Sequence, residues 1–284
     1  MSQPEAAQAP KVKKSVALSG TAAGNTAICT VGRTGNDLHY RGYDILEFAD
    51  IAEFEEIAYL LIHGELPNQG QLLEYKRHLK SQRDLPAALK IVLEQLPASA
   101  HPMDVLRTGA SVLGTLEPEK EAQPLAAARG IGDRLIASFG SMLLYWYHFS
   151  HHGRRIDEET DDESIAAHFL HLLHGRRPSD LHVRAMQTSL NLYAEHEFNA
   201  STFTARVIAG TAADIYSCVT GAIGALRGPK HGGANEAACD IQCRYGSPDE
   251  AEADIRARME RKEIVIGFGH PVYTISDPRN QVIK

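Results

Sequence analysis

The sequence predicts a mainly α-helical protein with one small β-hairpin near its N-terminus. Two patterns lead there. Apolar residues return at helical spacing in segment after segment from Glu53 onward, and the only clearly strand-like stretch lies between residues 15 and 45. Size is the third observation: 284 residues, 43% hydrophobic and 23% charged, can bury a sizeable core in one large domain or two ordinary ones.

Residues 1–14, MSQPEAAQAPKVKK, lack the apolar centre of a secretory signal and are expected to form a disordered tail. Val16-Ala17-Leu18 and Ala27-Ile28-Cys29-Thr30-Val31 flank a Ser/Gly/Asn-rich turn, Ser19 to Asn25, which predicts the hairpin. Asp37 to Asp44 is read as an ordered loop. Glu53 to His63 is the first helix, with Phe54, Ile57, Ala58, Leu60 and Leu61 on one face and Gly64 and Pro67 as its stop. Met103–Leu113 and the aromatic-rich Leu135–Phe149 follow, the latter closed by a charged loop from His152 to Glu163. Ser164–His174 and Leu181–Tyr193 are two more helices, separated by Gly175 and Pro178. Thr202–Leu226 carries a capping signal at Thr211-Ala212-Ala213-Asp214 and is expected to split in two. Its small residues would allow close helix packing, including against a second subunit. A glycine-rich entry, His231-Gly232-Gly233, then opens a helix from about Ala234 to Arg244.

Composition excludes several function classes. A net charge of −7 without a dense Lys/Arg run argues against a nucleic-acid binder. No apolar stretch approaches the ~18 residues of a membrane span. Cys29, Cys218, Cys239 and Cys243 are expected to be buried or half-buried thiols in a reducing cytoplasm, because no second pair completes a zinc site with Cys239 and Cys243. His168, His171 and His174 lie three apart, but no carboxylate is evident to complete a metal site. They and the neighbouring His148, His151, His152 and His182 are expected to be surface or boundary side chains.

Three other histidines have more pointed surroundings. His196 sits between Glu195 and Glu197 at a helix junction, where two carboxylates would favour a protonated ring able to hold an anion; it would equally serve as a helix cap. His231 precedes two glycines and a helix start, so a ligand can approach the backbone closely and the helix dipole disfavours imidazolium. A neutral ring there can donate one hydrogen bond to a developing enolate, a device that triosephosphate isomerase illustrates; a merely flexible turn has the same composition. His270 lies between Gly269 and Pro271, with Arg279 nine residues on. That pairing suits a dicarboxylate, the guanidinium taking a carboxylate at two points while the imidazole polarises a carbonyl. On pattern alone it remains as well explained by a rigid loop.

The stretch from Leu226 to Glu236, Leu-Arg-Gly-Pro-Lys-His-Gly-Gly-Ala-Asn-Glu, closely resembles the first catalytic-histidine signature of citrate synthases. Gly267-Phe268-Gly269-His270-Pro271-Val272-Tyr273 through Asp277-Pro278-Arg279 resembles the second, and Glu195 to Ser201 the third histidine region. Tyr40-Arg41-Gly42-Tyr43 and Leu60–Pro67 match N-terminal blocks, so the resemblance runs from about Val16 to Lys284. It implies a two-domain helical fold, with a large domain over 15–231 carrying homodimer contacts and a smaller one beginning at 232. It further implies a Claisen-type condensation of oxaloacetate with an acyl-CoA thioester, followed by thioester hydrolysis. His231 would stabilise the enol or enolate, and His270 would donate to the oxaloacetate carbonyl. His196 and Arg279 would bind oxaloacetate, and Asn235 would support the thioester site. No metal or cofactor is implied, coenzyme A thioester being a substrate.

The family's proton-abstracting aspartate, and further oxaloacetate-binding arginines, fall C-terminal of the second signature. They are expected beyond Lys284, in a part of the fold this sequence does not include. Ala17–Thr26, Gly35–Tyr40 and Arg227–Lys230 resemble the members that use propanoyl-CoA rather than acetyl-CoA. No residue explains that preference physically, and one methylene is worth only about 1–3 kcal/mol in a pocket. A non-catalytic homologue that binds oxaloacetate is the alternative of another class.

Overall fold

The computed structural model describes residues 24–119, 124–270 and 272–284. The expected tail and the first expected hairpin strand, Val16–Leu18, lie outside the described residues. A small antiparallel sheet is present, with strands β1 (Cys29–Val31), β2 (Leu38–Tyr40) and β3 (Tyr43–Asp44) in that order. The segment read as an ordered loop is therefore a hairpin. Its connection is Arg41-Gly42, with φ of 51° and 94°. Two positive values form the tight turn that matches strand twist. Leu38 and Tyr40 alternate inward and are fully buried, the two-residue period that the short run conceals.

Helices supply the rest. After α1 (Ile45–Phe48) come α2 (Phe54–His63), α3 (Gln69–Lys80) and α4 (Ala87–Glu94), then α5 (Pro102–Leu116) and the 29-residue α6 (Pro124–His152). They continue with α7 (Ile165–His174), α8 (Asp180–Tyr193), α9 (Ala200–Ala209) and α10 (Ile215–Leu226). Last are α11 (Gly233–Gln242), α12 (Pro248–Glu260) and the short α13 (Arg279–Ile283). The expected stop of α2 holds: Gly64 is left-handed at φ 96° and donates its amide to Leu60 O. The expected split before Ile215 also holds, with Ala212 at φ 62° and the Asp214 side chain accepting the Ser217 amide. Among the helices that pattern missed, α3 and α12 bury little, whereas the 8-residue α4 buries Leu89 and Leu93. Only Tyr75 and Leu79 of α3 are buried, and no residue of α12 is.

The main core joins α4, α5, α6 and α10 through Leu89, Leu93, Leu113, Met142, Trp146 and Tyr216. A second cluster packs the sheet, α1 and α2 against Leu192 of α8 and Tyr273. The small residues near α10 serve internal packing. A Cβ on Gly114 would stand 2.6 Å from Tyr216 Cβ, and one on Gly221 would collide with Ile208. Cys29 and Cys218 are buried as expected, but Cys239 and Cys243 are exposed, since α11 buries no residue.

Two histidines of α6 and α7 depart from the expected surface or boundary role, while His151, His152, His171 and His174 keep it. His148 and His168 are buried, His148 Nε2 lying 2.8 Å from Leu172 O and His168 standing between Ser141 Oγ and Thr160 Oγ1. A carboxylate does approach this group, because Asp162 bonds His171 at 2.7 Å. Among the described residues, no three His, Cys, Asp or Glu side chains are grouped to hold a metal ion. No described helix is long and apolar enough to cross a membrane.

Candidate active site

The junction between α8 and α9 is the centre of the arrangement, and the sheet fixes it. The buried Tyr40 hydroxyl donates to Asn191 O at 3.0 Å and accepts the Glu195 amide at 3.3 Å. The fully buried Asn191 amide donates to Ala49 O and Ala52 O in turn. Glu197 then adopts φ 55°, and Asn199 Oδ1 caps α9 by accepting the amides of Ser201 and Thr202. These contacts hold two points of the junction, His196 and Ser201, against the other two histidine motifs.

His231 meets the first turn of α9. The Ser201 amide donates to His231 Nε2 at 3.2 Å, and Ser201 Oγ lies 2.9 Å from the same nitrogen. A hydroxyl can rotate, but a backbone amide proton cannot, so the amide assigns Nε2 as the acceptor and places the ring proton on Nδ1. Burial holds the imidazole below its ordinary pKa. The sequence anticipated a neutral ring beside a helix start, but expected α11; the amide that meets the ring belongs to α9.

His270 is fixed in the opposite tautomer. Its Nδ1 accepts the amides of Val272 at 3.1 Å and Tyr273 at 3.2 Å, which leaves the proton on Nε2. Burial, more than any charge, lowers its pKa as well. Gly269, at φ 84°, supplies the reversal that lets the ring fold back over the following amides. The same segment docks on the connection between β1 and β2, where Thr274 and Ile275 donate their amides to Gly35 O.

His196 and His270 meet edge to face with ring centroids 5.3 Å apart, and Tyr273 Oη lies 3.0 Å from His196 Nε2. The expectation that Glu195 and Glu197 keep His196 protonated is overturned. Burial pushes its pKa down to about 4, and nearby Arg279 and His270 push in the same direction. Desolvation also raises the Glu195 pKa, which weakens the carboxylate expected to oppose this. His196 is therefore a neutral donor or acceptor.

Arg279 reaches the same region but has a partner of its own. It grips Asp277 at two points, Nε to Oδ1 at 2.9 Å and Nη2 to Oδ2 at 2.5 Å, and its guanidinium lies 5.8 Å from the Tyr193 ring centre. A substrate carboxylate would share or displace that grip. Asn235, in the first turn of α11, donates to Tyr193 Oη at 3.0 Å. Tyr193 thus touches both groups. Sequence reasoning passed over Tyr193, Ser201, Tyr273 and Asp277; the signal for the last was its place two residues before Arg279.

The neutral histidines give a pH signature. His168 and His196 sit at about 3 and about 4 when folded, against an ordinary 6.5. Between those values the unfolded chain binds more protons, so keeping the rings neutral costs nothing above about pH 6.5 and becomes a growing penalty on the folded state as pH falls. The urea midpoint should decline steadily from pH 6.5 to pH 4; a flat profile over that interval would contradict the burial of these two rings.

The chain matches the family model described as citrate synthase, C-terminal domain, over residues 17–284. It is 58% identical to 2-methylcitrate synthase of Shewanella oneidensis, over 94% of this chain and 70% of that protein. It is 39% identical to 2-methylcitrate synthase of Mycobacterium tuberculosis, over 100% of this chain and 71% of the relative. Among solved structures it resembles citrate synthase of Thermotoga maritima, with TM-score 0.82 and 34% identity over 93% of this chain and 70% of that one. A ternary complex of carboxymethyl coenzyme A and oxaloacetate with citrate synthase from Thermoplasma acidophilum matches with TM-score 0.83 and 28% identity, over 93% of this chain and 69% of the other.

Proposed function

The chain belongs to the citrate synthase family, and from that premise we propose that it carries out the 2-methylcitrate synthase reaction, condensing propanoyl-CoA with oxaloacetate and hydrolysing the thioester. The observation that carries the chemistry is the pair of oppositely fixed neutral imidazoles, His231 with its proton on Nδ1 and His270 with its proton on Nε2. The propanoyl preference rests on the 58% identity to the Shewanella oneidensis enzyme.

In this reading oxaloacetate binds first, held by His196, His270 and Arg279. The His231 Nδ1–H donates to the thioester oxygen as a proton leaves the α-carbon and an enol forms, with Asn235 supporting the same side. The enol carbon then attacks the oxaloacetate keto carbon, and the His270 Nε2–H donates to the oxygen that becomes a hydroxyl. Water cleaves the resulting thioester to give 2-methylcitrate and free coenzyme A. Preorganised donors at both carbonyls take the role a Lewis acid would otherwise fill, so the reading requires no metal or cofactor.

The α-proton base is not assigned to residues 1–284. Asp277 is poorly suited, because its bond to Arg279 holds the carboxyl below the usual carboxylate range despite burial. The proposal places that base, with the remaining oxaloacetate arginines, in a segment outside this sequence. It also takes the working protein to be a cytoplasmic homodimer, with a large domain over 15–231 and a smaller one starting at 232 that closes over oxaloacetate.

The test is thiol release by the full-length natural protein with oxaloacetate and either thioester. A higher kcat/KM for propanoyl-CoA is expected. A higher value for acetyl-CoA would move the assignment to citrate synthase, and oxaloacetate binding without thiol release would make the protein a non-catalytic homologue.

A further inference from the structure

The turn that carries His231 is tied to the start of α5 by a contact the mechanism above does not use. Helices α5 and α10 run antiparallel, with Gly114 against Tyr216 at one end and Gly224 against Arg107 at the other. The N-terminus of α5 therefore lies beside the end of α10, where the chain turns through His231 into α11. His101, which precedes α5, accepts the Met103 amide on Nδ1 at 3.1 Å. Its other nitrogen, Nε2, then carries the ring proton and meets Glu236 Oε2 at 2.9 Å. Glu236 follows Asn235 in the first turn of α11, and Asn235 is already tied to Tyr193 at the end of α8. A second pair, Arg227 Nε with Asp104 Oδ2 at 3.7 Å, joins the same corner to α5.

Bland readings exist for each residue separately. Acidic side chains favour the first turn of a helix, and a side chain that accepts an amide is an ordinary cap. Neither explains why the two meet at 2.9 Å across elements 135 residues apart in sequence. Magnitude sharpens the point. Glu236 is 57% exposed in its side chain, and a solvent-screened contact of that kind adds little to a fold. It matters little to whether the protein folds. Geometry at a reacting centre is far less tolerant, since a displacement of about 1 Å can cost 100-fold in rate.

We infer that His101 and Glu236 are positioning residues for the acyl-CoA side of the reaction, holding the turn from His231 to Asn235 in register with α5. The inference rests on the proposed reaction for its kinetic consequence. Its structural content, a first turn of α11 braced from α8 on one side and α5 on the other, stands separately.

The experiment uses the full-length enzyme. His101→Asn keeps a side chain able to cap α5 but too short to reach Glu236, and Glu236→Ala removes the other partner. Each is expected to raise KM for propanoyl-CoA about 3- to 10-fold, with KM for oxaloacetate and the thermal midpoint unchanged. The double variant should be no worse than either single one, and Glu236→Gln, which keeps an acceptor oxygen, should recover most of the loss. Hydrogen exchange of the 228–236 amides reads the bracing independently of turnover and should quicken in both single variants. Additive effects, equal shifts in both KM values, or unchanged exchange would each overturn the inference. A parent enzyme that releases no thiol from either thioester would instead overturn the reaction on which its kinetic part depends.

Discussion

Replacing His231 with alanine in the full-length enzyme should lower kcat about 1,000-fold while leaving KM for oxaloacetate within about twofold. The ring is half-buried and neutral, and its one uncommitted donor, Nδ1–H, is fixed by the amide that occupies Nε2. Charge develops on the thioester oxygen only as the α-proton leaves, so a donor aimed there acts on the transition state more than on either bound substrate. The substitution leaves the local fold its anchor: without the ring, the Ser201 amide still donates to Asn199 Oδ1 at 3.1 Å and the cap of α9 survives. Steady-state kinetics with propanoyl-CoA checks the expectation. A loss of less than tenfold would remove His231 from the chemical step.

Arg279→Leu should raise KM for oxaloacetate about 100-fold or more, because truncating one partner of a hydrogen-bonded charge pair costs about 2–5 kcal/mol. Two effects act together. The substrate loses a two-point grip, and Asp277 loses the guanidinium that holds its carboxyl low, leaving burial free to raise it. The surroundings of the imidazoles change as well. Arg279 pushes the pKa of His196 and His270 downward, so its removal should move both upward and shift the acid limb of kcat/KM to higher pH. Arg279→Lys keeps the charge without the planar fork and should fall between parent and leucine variant. An unchanged KM would show that the Asp277 pair, and not oxaloacetate, is the only partner of this arginine.

Much of the architecture was legible because its causes are local. The stop at Gly64 and the break before Ile215 each need only a short stretch of chain, a left-handed glycine in one case and an aspartate cap in the other. Where the pattern failed, the failure was also local in origin. The β2–β3 hairpin has strands of 3 and 2 residues, too few for alternation to declare itself. Helix α3 shows the core only Tyr75 and Leu79, so its solvated faces hide the helical period. The two cysteines of α11 were misjudged for the opposite reason, a helix-like spacing on a helix that buries nothing.

The sequence by itself determined the family. His196, His231, His270, Asn235 and Arg279 stand in motifs whose order and composition identify the family. Tertiary structure decided what state those side chains are in. The neighbour of His196 is Tyr273, 77 residues away, and the amide that sets the tautomer of His231 is 30 residues away on another helix. The carboxylates beside His196 in sequence suggested a positive charge, whereas burial together with Arg279 keeps it neutral. Protonation follows the local dielectric and the nearest charges in space, and chain proximity decides neither.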